Sequence, residues 1–350
     1  MKWLLVHPGP DFSVHDVFTG WREALQTLGQ QVQVYNTNDR LAFYDLAMIA
    51  TGLEDDQGYP EFKKALNREQ VTGMASQNIL AAAMAGFPDV VMFVSGFFIP
   101  PEILAILRAW HRKVVLVCTE APYEDDRQLP LAAQADVTLL NDPATISAYE
   151  QVCPRVAYSP HAYRPSVHYP RAARTEFDLV FSGTGYPSRI QFFTGMGLRG
   201  LRVGLAGNWQ QLRPGSQLTK YLLHAREICV ANEDTADLYS TARAGINFYR
   251  REHNDDATAE GWAVGPREIE MAACGLWFLR DPRPEGDTLF PWLPTFTDPQ
   301  GAGELLRWAL KNNDVREQGA LRSRAAIEDR TFESNARMLL RLLDREPVTL

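Results

Sequence analysis

At 350 residues and 45% hydrophobic content, the chain is long enough for two domains with full cores, and a net charge of −8 excludes a surface that holds nucleic acid by bulk electrostatics, though not a local basic groove. Four cysteines without C-x-x-C spacing exclude a zinc cluster or disulfide framework. No apolar run reaches the ~20 residues of a membrane span, and Met1-Lys2-Trp3 enters a strand with no signal-peptide layout, so a cytoplasmic protein without membrane association is expected.

Lys2–His7 reads as a short apolar strand, followed by the loop PGPDFSVHD, an amphipathic helix over about Val17–Leu28 closed by Gly29, and a second strand, Gln31–Tyr35. This β-loop-α-β opening begins a doubly wound α/β domain, in which ligands meet the loops at the carboxyl ends of the strands. His15 and Asp16 stand at that edge, where Asp16 also suits a helix N-cap. A helix over Gln70–Ala85 and a strand over Val90–Val94 continue the pattern. The strand Val114–Cys118 then delivers Thr119-Glu120 at its carboxyl end, a place for a catalytic carboxylate; the bland reading of Glu120 is a loop cap or a partner of Arg127. After the strand Val137–Leu140, Asn141-Asp142-Pro143 caps a helix over Ala144–Gln151, completing a first domain over 1–160.

Prolines 160, 165 and 170 mark residues 161–175 as a connection that carries His161. A second domain over 176–325 restarts with a strand, Phe177–Phe181, and the turn SGTGYPSR. Gly183 and Gly185 would admit the backbone to a pyrophosphate beside Thr184 and Ser188, with the next helix N-terminus and Arg189 neutralising it. The strand Leu201–Ala206 ends in Gly207-Asn208-Trp209, and Thr235–Ala242 is an amphipathic helix. Strands Ala244–Tyr249 and Leu276–Leu279 flank a helix over Gly265–Cys274 that opens on Pro266 and ends before Gly275, with Arg267 and Glu270 on one face of its first turns. A carboxylate there can take both hydroxyls of a ribose while a guanidinium and the helix N-terminus take phosphate oxygens; the same spacing also makes an exposed helical ion pair. Arg189, Arg250, Arg251 and Arg267 form a local basic set. Helices over Leu305–Asn312 and Asn335–Leu343 follow, the last within a C-terminal segment 326–350.

The segment PREIEMAACGLWFLRD resembles the R-x-x-E-x-A-A-C-G pattern of the CgeB-like glycosyltransferases and, more distantly, the phage DNA β-glucosyltransferases. The resemblance implies the GT-B fold: α/β, two Rossmann-like domains facing a central cleft, with the C-terminal helix crossing back to the first. It implies a nucleoside-diphosphate sugar as donor, UDP favoured and GDP admitted, with Glu270 on the ribose and Arg267 on the diphosphate. Gly183, Thr184, Gly185, Ser188, Arg189, Asn208, Arg250 and His161 would complete the donor site. SGFFIPPE, TEAPYEDDRQ and GWAVGPREIE are similar to enzymes of actinobacteria and their phages, where a modified DNA base is one acceptor; Phe97, Phe98, Tyr123 and Trp209, read as cleft aromatics, suit a small or carbohydrate acceptor equally.

The retaining signature E-x7-E has Trp262 at its first position here, and Asp255, Asp256 and Glu260 are out of register, so inversion is favoured. Inversion needs a general base for the acceptor hydroxyl: Glu120 first, Asp16 second. Without a D-x-D motif after a strand, no obligatory metal is expected, although a divalent cation can be accommodated; arginines and the helix dipole would stabilise the leaving diphosphate.

Overall fold

The computed structural model describes residues 1–10, 14–252 and 261–344. The chain divides into a first unit, Met1–Ser159 together with the chain from Ala336 onward, and a second, Pro160–Asn335. Two expected boundaries therefore move: residues 160–175 belong with the second unit, and the return to the first begins at Ala336 rather than 326. The proline-marked connection joins the second unit because it packs there. Val167 enters that core, Arg164 pairs with Glu233 at 2.8 Å, and the Tyr163 N–H donates to the Arg330 carbonyl at 2.9 Å.

The first unit runs β1 (Lys2–Val6), α1 (His15–Thr27), β2 (Gln31–Tyr35), α2 (Thr37–Asp45), β3 (Met48–Glu54), β4 (Pro60–Lys64), α3 (Arg68–Gly86), β5 (Val90–Val94), α4 (Pro101–Ala109), β6 (Lys113–Val117), α5 (Asp125–Ala132), β7 (Val137–Leu140), α6 (Ile146–Glu150) and β8 (Val156–Tyr158). Six strands form a parallel sheet in the order β2-β1-β5-β6-β7-β8. Its centre is continuously apolar, every residue of Val90–Val94 being buried, as expected of a parallel sheet covered on both faces. β3 and β4 stand apart as an antiparallel two-stranded sheet.

The second unit runs β9 (Leu179–Ser182), α7 (Pro187–Gly195), β10 (Val203–Ala206), α8 (Asn232–Ser240), β11 (Gly245–Asn247), α9 (Pro266–Ala273), β12 (Phe278–Arg280), α10 (Pro284–Leu289), α11 (Pro299–Lys311) and α12 (Asn313–Ala326). Its four strands are parallel in the order β10-β9-β11-β12, around a core that fully buries Phe181, Phe193, Trp209, Phe278 and Phe290. The last helix, α13 (Phe332–Asp344), begins in the second unit and continues into the first, where the Leu342 carbonyl accepts from Arg155 Nη1 at 2.8 Å. Among the described residues no helix is long and apolar enough to cross a membrane.

Candidate functional site

In the second sheet the chain leaves β9 for β10 on one side and returns to β11 on the other. The carboxyl ends of β9 and β11 therefore flank a topological switch point, the crevice where open α/β sheets take ligands. Three segments meet there: the turn Gly183–Tyr186, the residues after Asn247, and the N-terminus of α9.

That N-terminus is built as its sequence requires. Pro266 occupies the first helical position, and Gly275, at φ +74°, follows the Cys274 C-cap. The buried Glu268 carboxylate closes the first turn by accepting from the Gly265 N–H at 2.8 Å and from the Tyr249 hydroxyl. Desolvation pushes this acid up to about 7, against the hydrogen bonds and the Arg280 charge that favour its ionised form.

One turn on, Glu270 and Arg267 pair at 2.6 Å, but not as an exposed helical pair, since Glu270 is 4% exposed. Asn232, the first residue of α8, bridges both: its amide donates to Glu270 Oε1 at 2.9 Å and its oxygen accepts from Arg267 at 2.9 Å. Each Glu270 oxygen takes one of these bonds, and a carboxylate oxygen can accept two. His168 is buried beside them, one ring nitrogen within 4.8 Å of a Glu270 oxygen; its Nδ1 accepts the Arg164 N–H, and its buried Nε2 has no hydrogen-bond partner. His161, also within electrostatic reach of Glu270, is held down to about 4 by burial, with Glu285 opposing and Arg330 reinforcing the shift. It is a neutral imidazole at physiological pH.

Arg189 has a different job from a free phosphate clamp. Its Nε donates to the Phe248 carbonyl and its Nη1 to the Thr184 carbonyl, both at 2.9 Å, so it ties the turn after β9 to the segment after β11. Desolvation, with repulsion from Arg267 and Arg250, brings it down to about 10 although Tyr186 and Glu252 oppose the shift. Three guanidinium groups thus share one neighbourhood and disfavour one another, a field that an anion relieves. The N-terminus of α7 already has an anion: the Glu252 carboxylate accepts from the Ser188 N–H at 2.7 Å and its hydroxyl at 2.9 Å. Beside it, an open cavity of about 320 Å³ is lined by Ser188, Phe248, Arg251, Asp281 and Asp298.

The glycine-rich turn has a packing requirement of its own, and the reading of Trp209 needs correction. Gly185 is glycine because the Trp209 indole fills its side-chain position, a Cβ falling 2.4 Å from the ring, and Gly207, at φ +103°, would place a Cβ 2.4 Å from the Gly183 carbonyl oxygen. Close packing of the two turns accounts for these glycines without a ligand. Trp209 is accordingly a core residue, fully buried, and not a cleft aromatic. Asn208 sets the same turn, its carbonyl accepting from the Gly185 N–H at 2.7 Å and its side chain from the Gln210 N–H at 3.0 Å.

In the first unit, Glu120 follows β6 and its carbonyl accepts from the Tyr123 and Glu124 N–H groups, while Arg127 pairs with Glu124 at 3.1 Å and lies over the Phe97 ring. Asp16 lies inside the first turn of α1 and is not the N-cap, which is Val14. Of the other acids weighed from the sequence, Asp255, Asp256 and Glu260 lie outside the described residues. Asn232, His168, Glu252 and Glu268 went unseen in the sequence. Only Glu268, three residues after Gly265 at a helix start, carried a local signal, the capping-box spacing.

Residues 189–341 match the family model described as glycosyl transferase-like. No curated protein matches the sequence. Among solved structures, the chain is similar to a sucrose-phosphate synthase from Thermosynechococcus elongatus, with 13% identity, a TM-score of 0.66 and 98% of each chain covered. An α-glucosyltransferase in complex with UDP and a 13-mer DNA is similar over 98% of this chain and 99% of its own, at 11% identity and a TM-score of 0.66. A UDP-forming α,α-trehalose-phosphate synthase from Burkholderia xenovorans is similar over the full length of both chains, at 12% identity and a TM-score of 0.61. At these identities the likeness establishes the fold, which is GT-B.

Proposed function

We propose that this chain is a cytoplasmic glycosyltransferase of the CgeB-like kind that moves a sugar from a nucleoside-diphosphate sugar, UDP favoured and GDP admitted, to an acceptor hydroxyl. The observation that carries the reading is the hydrogen-bonded Arg267–Asn232–Glu270 constellation at the N-terminus of α9, built on a buried Glu270, with Arg189 and Arg250 in the same field. The Glu270 carboxylate takes the ribose hydroxyls, Arg267 and Arg250 take the diphosphate, and Arg189 holds the two loops that shape the site. His161, a neutral imidazole, offers hydrogen bonds without adding charge, and the buried Nε2 of His168 is unpartnered beside Glu270.

For the reaction itself, Glu120 is the general base for an inverting transfer and Asp16 its rival, with no obligatory metal. A modified base in phage DNA is one acceptor that the sequence resemblance admits and a small or carbohydrate hydroxyl is the other, the first being the class of the DNA-bound structure of the same fold. A thermal-shift panel of UDP, GDP, dTDP and their sugars tests the donor: a ligand at 100 times its Kd adds about 2.7 kcal/mol of stability. Stabilisation by none of them would remove the reading. Hydroxymethylated and plain duplex DNA, run against simple carbohydrates with the donor so found, tests the acceptor.

A further inference from the structure

The β3–β4 hairpin has no part in either large sheet, and nearly all of its residues are exposed. An isolated two-stranded hairpin is at best marginally stable in water. This one nonetheless presents Leu46, Met48, Ile49, Leu53, Tyr59 and Phe62, each between 47% and 76% exposed, which is a grouping and not the scatter of single apolar residues found on most surfaces. Six side chains exposed to this degree offer on the order of 600 Å² of apolar surface, divided between the hairpin's two faces with Met48 and Phe62 on one and Ile49 on the other, so a contact along the strand edge draws on part of it and falls at the small end of specific interfaces, ~800 Å² per partner being standard.

The charges on the hairpin are polarised along its length. Glu54, Asp55 and Asp56 cluster at the tip, where the Asp55 carboxylate holds the turn by accepting from the N–H groups of Gln57 and Tyr59. Lys63 and Lys64 lie at the opposite end of β4. Such a layout is complementary to itself under a two-fold rotation, the property an isologous interface requires. β4 pairs with β3 along one edge, leaving its other edge free. Two copies of β4 set antiparallel about Phe62 bring Phe62 against the partner's Phe62 and Lys63 opposite the partner's Glu61, while Lys64 stays on Asp45 of its own chain, 2.5 Å away. Edge lysines ordinarily discourage strand pairing, but here each meets a carboxylate.

We propose that the β3–β4 hairpin is the contact through which this chain pairs with a second copy of itself, in an isologous arrangement centred on Phe62. The acidic tip disfavours the alternative of an anionic membrane surface.

Sedimentation velocity of the full chain from low to high micromolar concentration tests this. The wild type is expected to dimerise, and Phe62→Asp, at a position already exposed, to weaken dimerisation roughly tenfold or more with circular dichroism unchanged. Lys63→Glu and Glu61→Lys should each weaken the dimer, and the double exchange should restore it. A wild type that stays monomeric throughout overturns the proposal. So does a dimer indifferent to Phe62→Asp, or a charge exchange that fails to restore it. A monomer that instead sediments with anionic vesicles would give the patch to a membrane and also overturn it.

Discussion

Glu270→Ala separates the role of the site from the role of the scaffold. The carboxylate is 4% exposed and takes hydrogen bonds from Arg267 at 2.6 Å and Asn232 at 2.9 Å, so truncation leaves the Arg267 guanidinium without its counter-charge. Removing one partner of a fully buried pair costs about 3–5 kcal/mol, but the Arg267 side chain is 25% exposed and water can solvate it again. The expected loss of stability is therefore about 1–2 kcal/mol, or roughly 2–8 °C in Tm for a domain of this size. The loss in binding is larger. Two charge-assisted hydrogen bonds to ribose hydroxyls are worth about 2–4 kcal/mol, a roughly 30- to 1,000-fold rise in Kd. Calorimetry well below the Tm, with UDP and with inorganic pyrophosphate, reads the two effects apart, because pyrophosphate has no ribose and the mutation frees Arg267 to meet it. A folded Glu270→Ala protein that binds UDP as the wild type does, or that loses UDP and pyrophosphate equally, would refute the ribose assignment.

Three further outcomes follow from the same geometry. Arg267→Ala should weaken UDP far more than uridine, whereas Arg189→Ala should weaken both alike, because the Arg189 side chain is bonded to the Phe248 and Thr184 carbonyls; paired titrations check the contrast. Glu268, pushed up to about 7 by burial from an ordinary value of 4.5, binds its proton more tightly folded than unfolded, so its contribution to stability falls as pH rises from about 4.5 to 7 and is level above that. Glu268→Gln should erase that dependence, leaving a difference from wild type on the order of a few kcal/mol between acid and neutral pH in denaturant titrations, and an unchanged slope would mean that the acid is ionised throughout. Glu120→Gln should keep donor affinity and lower kcat by ~10² to 10⁴, with Asp16→Asn as the control; full turnover in Glu120→Gln beside a dead, folded Asp16→Asn would transfer the role to Asp16.

The central parallel strands were legible because buried parallel strands are short, continuously apolar runs, and Val90–Val94 and Val137–Leu140 appear in the structure with the bounds read from the sequence, as does the largely exposed edge strand Gln31–Tyr35, whose QVQVY alternates. The ends of α9 were legible because Pro266 and Gly275 are chemical punctuation. By contrast, β3 and β4 carry apolar residues on exposed positions, so their hydrophobic pattern signals no core and the hairpin went unread. The short α10 and the largely polar α12 have little amphipathic signal and depend on tertiary packing. Within the site, Arg267 and Glu270 could be found from their spacing, but Asn232 arrives from 35 residues upstream of Arg267, and the Glu252 carboxylate reaches Ser188 from 64 residues downstream. No local pattern encodes such meetings. The glycine-rich turn is ambiguous for the opposite reason, since a glycine demanded by a packed indole reads the same as one demanded by a phosphate.

Release of nucleoside diphosphate from a panel of UDP- and GDP-sugars, followed over long incubation with the wild type and with Glu270→Ala, tests the central claim most directly. A glycosyltransferase should show at least slow donor hydrolysis with one of them, lost or sharply reduced in the variant. A folded wild type that binds UDP yet releases none from any sugar nucleotide would contradict catalysis and leave a binding protein of the same fold.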